Sequence, residues 1–336
     1  MIRVLIAAVV AMVLSILVGP RFISFLRRNE FGQHIQKERL EAHGGKQGTP
    51  TMGGLLILVI ATVAFLGVSK YKVPALTVLF VTLGCGSIGF LDDFIKVTHR
   101  RSLGLRGRWK LLLLAVVTVG VAIAARHQHL PTTVFVPVVH WNVQLSYAWY
   151  GLLFLVIAGS ANGVNLADGI DGLAAGTGII SLVTFTAIAV VTYIRTGNPG
   201  HRFDSRLDLA IVGAALIGAT VGFLWYNAFP AEVFMGDTGA MGIGGALAAM
   251  SIFTKTIFLL LLIGGIFVIE ALSVIIQVIA FKYYGRRVFL IAPIHYHFEM
   301  KAWSETKIMV RFWIVTAILC ALGFALFYRD FTFFRR

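Results

Sequence analysis

The sequence predicts an all-α integral membrane protein with ten transmembrane helices. Three observations carry that prediction. The 336 residues are 58% hydrophobic and 13% charged. The mean hydropathy of +0.86 lies well above that of a soluble domain. The apolar residues gather into ten runs, near 4–26, 52–68, 73–91, 111–125, 146–164, 173–194, 208–226, 239–254, 257–281 and 308–328, and about 20 mainly apolar residues cross about 30 Å of hydrocarbon. No interval between runs could hold a soluble domain, so residues 1–336 read as a single polytopic membrane domain.

The first run follows Met1-Ile2-Arg3. It is longer than the apolar region of a signal peptide and no small-x-small cleavage site follows, so it is expected to remain as a helix. Loops after odd-numbered runs hold more than half of the 29 Lys and Arg, among them Lys37, Arg39 and Lys46, then Lys96, Arg106 and Lys110, then Lys282, Arg286, Arg287 and Lys301. The positive-inside rule places those loops in the cytoplasm and both termini outside. The net charge of +14 is then a signal of topology and anionic membrane lipid. No nucleic-acid partner is expected, because no soluble basic domain with interleaved aromatics is present. Residues 132–145 alternate around Pro137, which predicts a short periplasmic β-hairpin. Cys85 and Cys320 lie inside apolar runs and read as packed thiols, not as a disulfide or a metal pair.

Acidic residues number only 15, yet five aspartates sit in nearly charge-free stretches at the ends of runs. Asp92 and Asp93 follow the third run, Asp168 and Asp171 the fifth, and Asp237 the seventh, so an odd–even count puts all five at the cytoplasmic face. Asp92 and Asp93 are expected at a helix C-terminus, where the macrodipole opposes anions, so a cation is the natural offset. Lys96 follows one turn later. Asp168 and Asp171 are three apart among glycines that allow close ligand approach, although Asp171 could simply N-cap the next helix. Asp237 or Thr238 could likewise be an N-cap, and a helix N-terminus also welcomes phosphate. Phe234 either packs internally or offers a flat face to a nucleobase. His295 and His297, two apart, are weak evidence for zinc and fit better as donors to phosphate or as an acid/base. Lys46 to Gly54 combines a lysine, hydroxyls and flexible backbone before a helix, an anion seat or an ordinary turn. Glu270 lies mid-span, where an ionisable group is expensive; a hydrogen bond to a neighbouring helix is the favoured reading.

Carboxylates and lysines at one membrane face suit Mg²⁺ and a diphosphate. The expected chemistry is metal-dependent transfer of a phospho-group from a soluble, nucleotide-linked donor to a lipid acceptor.

The motifs behind this expectation resemble a known family. Asp92-Asp93-x-x-Lys96, Asn165-x-x-Asp168-Gly-x-Asp171-Gly and Phe234-Met-Gly-Asp237 match the polyprenyl-phosphate N-acetylhexosamine-1-phosphate transferase superfamily. Lys46-x-Gly-Thr-Pro-Thr51 and Pro293-x-His295-x-His297-Phe-Glu299 are similar to its phospho-N-acetylmuramoyl-pentapeptide transferase branch, and the resemblance covers essentially the whole chain. It implies an enzyme of the bacterial inner membrane that converts UDP-N-acetylmuramoyl-pentapeptide and undecaprenyl phosphate to lipid I and UMP with Mg²⁺. It also leaves room for a homodimer. It makes Asp237 the metal ligand, Asp92 and Asp93 the catalytic pair, and Asn165, Asp168, Asp171 and Asn227 the lining of the uridine-diphosphate region. Phe234 would stack on uracil, Lys46, Thr51 and Lys96 would contact donor or phosphate, and His295 would face the diphosphate, with His297 beside it. Two positions depart from the family pattern: Tyr296 interrupts a run of histidines, and Ala167 replaces a threonine. A sister enzyme transferring N-acetylglucosamine-1-phosphate is the alternative. An ion-coupled transporter is the remote one, disfavoured because nearly all the acids lie at one face.

Overall fold

The computed structural model describes residues 1–29, 48–99, 104–196 and 204–333. In chain order the elements are α1 (Ile2–Arg28), α2 (Gly54–Val68), α3 (Val73–Thr98), α4 (Gly107–His127), β1 (Thr133–Val136), β2 (Trp141–Gln144), α5 (Ala148–Ala167), α6 (Leu173–Arg195), α7 (Asp204–Asn227), α8 (Gly236–Phe253), α9 (Ile257–Ile263), α10 (Gly265–Tyr284), α11 (Ile294–Glu299) and α12 (Glu305–Phe333). Eight of these helices, namely α1, α3, α4, α5, α6, α7, α10 and α12, are long and apolar enough to cross a membrane. The other two expected spans correspond to α2 and α8, which fall short of that measure. The 15 residues of α2 are short for a span, and α8 is too rich in glycine to match the apolarity of the others.

Two expected boundaries move. The run 257–281 is not one helix but breaks at Gly264 into α9 and α10. A glycine pair is a common site of such a break, and the Ile263 carbonyl left at the break accepts the Ser181 hydroxyl at 2.8 Å. The third run does not end before Asp92. It continues as helix to Thr98, so Asp92, Asp93 and Lys96 all lie on α3 itself.

Helix α8 is the axis of the bundle. Every residue from Thr238 to Phe253 is buried. It packs chiefly against α3 and α5, and α2 crosses it near its start. Small residues permit this, because without a water-driven force between helices in lipid, close backbone approach supplies the packing energy. A side chain at Gly54 would overlap the Gly239 backbone, and one at Gly89 would overlap the Asp237 carbonyl. Around this axis α7 has 83% of its apolar window buried, whereas α1, α4, α10 and α12 have 28% each. The last four therefore form the perimeter, with side chains such as Leu17, Val116, Ile275 and Ile318 facing outward.

Between α4 and α5, Thr133–Val136 pairs antiparallel with Trp141–Gln144, with Thr133 opposite Gln144. The hairpin anchors through Val134, which is 4% exposed.

The packing at Gly54 yields a stability test. Gly54→Ala should destabilise the protein by about 1–3 kcal/mol, the usual cost of overpacking. Gly67→Ala, in the same helix with open space around the site, should be neutral or gain up to about 1 kcal/mol. Thermal unfolding in detergent separates the two, and equal shifts would refute the close α2–α8 crossing.

Candidate active site

The site is built where the end of α3 meets the start of α8. Helix α8 has no side-chain cap of its own, so neither Asp237 nor Thr238 is the N-cap that the local sequence suggests. Its first amides are bound instead by Asp93 of α3. Asp93 Oδ1 accepts the Asp237 N–H at 3.2 Å. Asp93 Oδ2 accepts the Thr238 N–H at 3.0 Å and the Thr238 hydroxyl at 2.7 Å. A carboxylate at a helix N-terminus is favoured by both the free amides and the dipole. Gly236, just before these amides, has φ +72°, and a Cβ there would lie 2.7 Å from Asp93 Oδ2 and 2.9 Å from the Thr51 hydroxyl. Glycine is required on both counts.

Asp92 is 1% exposed. Its Oδ1 accepts the Leu105 N–H at 2.7 Å. Lys96, one helical turn along α3, reaches Asp92 Oδ2 at 2.6 Å and Asp237 Oδ1 at 3.1 Å. Lys110, from the first turn of α4, reaches Asp92 Oδ1 at 3.0 Å and Asp237 Oδ2 at 2.8 Å. Two lysines thus bridge the same two aspartates. In the sequence Lys110 stands out only as a topology charge. Nothing local marks it, since its place in the site comes from the return of the chain into α4.

Ligand atoms of Asp92, Asp93 and Asp237 all lie within 4.8 Å of one another. Three carboxylates this close repel strongly in a low-dielectric setting. Lys96, Lys110 and the α8 N-terminus offset that repulsion. Asp168, directly after α5, belongs to the same electrostatic unit. Burial pushes its carboxyl up to about 8, the charges of Asp237 and Asp93 add to this, and the Gly236 N–H opposes it.

The remaining predicted residues fall into two groups. Thr51 is buried beside Gly236, and Phe234 is half-buried, its backbone pinned by Phe234 N–H to Pro50 O at 2.8 Å and Gly53 N–H to Phe234 O at 2.9 Å. Asn165 is half-buried in the last turn of α5, where its carbonyl accepts the Asp168 N–H. Thr51 borders the acidic cluster, while Phe234 lies two residues before Gly236 and Asn165 three before Asp168. Asp171 and Asn227 instead tie loops together. Asp171 Oδ2 accepts the Ala231 N–H at 3.1 Å, so it does not N-cap α6, whose cap position is Gly172. Asn227 accepts the Gly172 N–H at 3.1 Å and donates to the Val233 carbonyl at 2.9 Å. His295 is fully buried, with Nδ1 3.0 Å from Glu270 Oε1. Glu270 therefore does bond to a neighbouring helix, α11. His297 Nδ1 accepts the Leu290 N–H at 3.1 Å, which fixes the loop before α11. Tyr296, at the departure from the histidine run, lies against the His295 ring with centroids 4.0 Å apart and donates to the Gly169 carbonyl at 3.3 Å. Lys46 lies outside the described residues.

The sequence also matches known proteins. Residues 75–255 match the model for glycosyl transferase family 4. Residues 46–58 match signature 1 of phospho-N-acetylmuramoyl-pentapeptide-transferase. A protein of that name from Rubrobacter xylanophilus is 45% identical over 335 residues, covering 98% of each chain. Another from Halalkalibacterium halodurans is 43% identical over 323 residues, covering 95% of this chain and 96% of its own. A third, from Desulforudis audaxviator, is 45% identical over 340 residues, covering 97% and 98%.

The cap supplied by Asp93 separates its role from that of Asp92. Asp93→Ala strips the acceptor from two amides and a hydroxyl, and should lower stability by about 2 kcal/mol or more. Asp92→Ala leaves both lysines paired with Asp237 and should cost less. Thermal unfolding of the two variants side by side, without substrate, checks the order; a reversed order would show that Asp93 does not hold α8.

Proposed function

The chain belongs to the phospho-N-acetylmuramoyl-pentapeptide-transferase family, and on that footing we propose that it transfers phospho-N-acetylmuramoyl-pentapeptide from UDP to undecaprenyl phosphate. The products are lipid I and UMP. The observation that carries the reading is the single cluster formed by Asp92, Asp93 and Asp237 with Lys96 and Lys110. Chain segments far apart in sequence meet there, at helix ends where a soluble nucleotide and a lipid phosphate can both arrive. The basic loops support a cytoplasmic face of the bacterial inner membrane for this site, within residues 1–336 read as one membrane domain.

An oxygen of the lipid phosphate attacks the β-phosphorus of the donor, and the bond from that phosphorus to the bridging oxygen of UMP breaks. Lys96 and Lys110 hold the non-bridging oxygens, where charge builds in the transition state. Asp92 orients the acceptor and removes a residual proton. Asp93 keeps the α8 N-terminus, and hence Asp237, in place. Phe234 stacks on uracil, while Thr51, Asn165 and Asp168 line the diphosphate region with Lys46. Asp171 and Asn227 shape that lining by holding its loops, and His297 holds the loop that carries His295.

The donor set suits Mg²⁺, since carboxylate oxygens are hard ligands and three lie within reach of one ion. Asp237 would be its main ligand, with Asp92 and Asp93 within reach of the same ion. When bound, the ion would neutralise diphosphate charge and stabilise the departing UMP.

The experiment is UMP release from UDP-N-acetylmuramoyl-pentapeptide with undecaprenyl phosphate, run beside UDP-N-acetylglucosamine as donor. Activity with the pentapeptide donor alone, lost on chelation and restored by Mg²⁺, is the expected result. Release only from UDP-N-acetylglucosamine would overturn the substrate assignment. Asp237→Asn should abolish Mg²⁺-dependent turnover while thermal unfolding stays near that of the parent. Lys110→Ala should reduce kcat roughly 10²–10³-fold, the scale of losing one preorganised electrostatic contact; wild-type kcat in that variant would remove Lys110 from the mechanism.

A further inference from the structure

Glu270 and His295 form a buried pair that the catalytic steps above leave unexplained. Both side chains are 0% exposed. Glu270 stands on α10 and His295 on α11, and Glu270 Oε1 lies 3.0 Å from His295 Nδ1. The outer atoms of the pair, Glu270 Oε2 and His295 Nε2, have no hydrogen-bond partner among the described residues. A buried polar atom left unpaired costs free energy unless function uses it. His295 Nε2 has a clear heading. It lies so close to Gly169 that a Cβ there would overlap it. Gly169 directly follows Asp168, whose carboxyl feels the charges of Asp237 and Asp93. The imidazole is therefore aimed at the margin of the acidic site, with Tyr296 tilted against it and bonded to the same glycine.

We propose that Glu270 is a positioning residue that holds the His295 ring so that Nε2 is presented, as an N–H donor, to the diphosphate of the nucleotide-linked donor. The inference rests on the transferase reading above and adds a residue to it. Phosphate oxygens only accept hydrogen bonds, so Nε2 must carry a proton when it meets one. The Glu270–His295 pair holding two protons satisfies this in either form. With the carboxylate and imidazolium, Nδ1–H binds Glu270 and Nε2–H points outward. With the acid and neutral imidazole, the proton sits on Glu270 and Nε2–H still points outward. In both forms the pair is neutral, which suits burial at this depth. A carboxylate behind a histidine commonly fixes its ring orientation and tautomer, and where the histidine binds a metal, loss of such a partner costs about 10–100-fold, a scale taken over here. Gly169 completes the device, since no other residue leaves room for the ring.

A double-mutant cycle on UMP release tests this, using the full chain in detergent with the UDP-linked pentapeptide donor. Glu270→Gln and Glu270→Asp should each lower kcat about 10–100-fold, with KM for undecaprenyl phosphate unchanged. In a His295→Ala background the Glu270 variants should cause no further loss, because Glu270 acts only through the histidine. Additive losses across the two backgrounds, or wild-type kcat in Glu270→Gln, would overturn the proposal. Should Glu270→Gln unfold, Glu270→Asp carries the same cycle, since it keeps the carboxylate and withdraws it by one methylene. Absence of UMP release by the unmodified chain would count against the transferase reading itself, and so is distinct from failure of the positioning role.

Discussion

One interaction organises the molecule: the grip of Asp93 on the N-terminus of α8. Two backbone amides and one hydroxyl converge on a single carboxylate from another helix. In water such a contact would be modest. Here it is buried, charge-assisted and aligned with a helix dipole. It fixes the register of α8 against α3, and the register places Asp237 beside Asp92. The glycines along the two helices serve the same end, because Asp93 could not reach the amides if Gly89 carried a side chain against the Asp237 carbonyl.

Charge balance follows from that placement. Three carboxylates within 4.8 Å would not remain together unaided. Lys96 and Lys110 supply two positive charges in direct contact, and the α8 N-terminus contributes a fraction more. The cluster is left slightly negative, with Asp168 at its edge raised by the same field. Such a cluster has the donor chemistry of a divalent-cation site, and under the transferase reading its lysines would pass to phosphate once a cation took over the carboxylates.

Loop positions are set by polar side chains that do not belong to the cluster. Asp171 and Asn227 join the α5–α6 loop to the segment before α8. Gln277 holds the loop after α10 by accepting the Val288 and Phe289 amides, and His297 adds the Leu290 amide. These groups help irregular backbone to be tolerated at the helix ends: the Gly172, Ala231, Val288, Phe289 and Leu290 amides each have a side-chain acceptor. They also show why a motif can contain residues of different kinds, some facing the reaction and others holding the frame.

Sequence alone determined the membrane class and the ranges of most helices, because hydropathy is a property of the linear chain, and it singled out Asp92, Asp93, Asp168 and Asp237, which the structure brings together. It also showed Lys96 one turn from Asp92, a matter of helical period. Only the tertiary structure decided that Asp93 caps α8 rather than standing free, that Lys110 joins the cluster, that the 257–281 run breaks at Gly264, and that Glu270 finds His295. Each of those four depends on which helix lies beside which, and that is settled by how small residues let the helices pack. Packing of that kind leaves no periodic trace in any single segment.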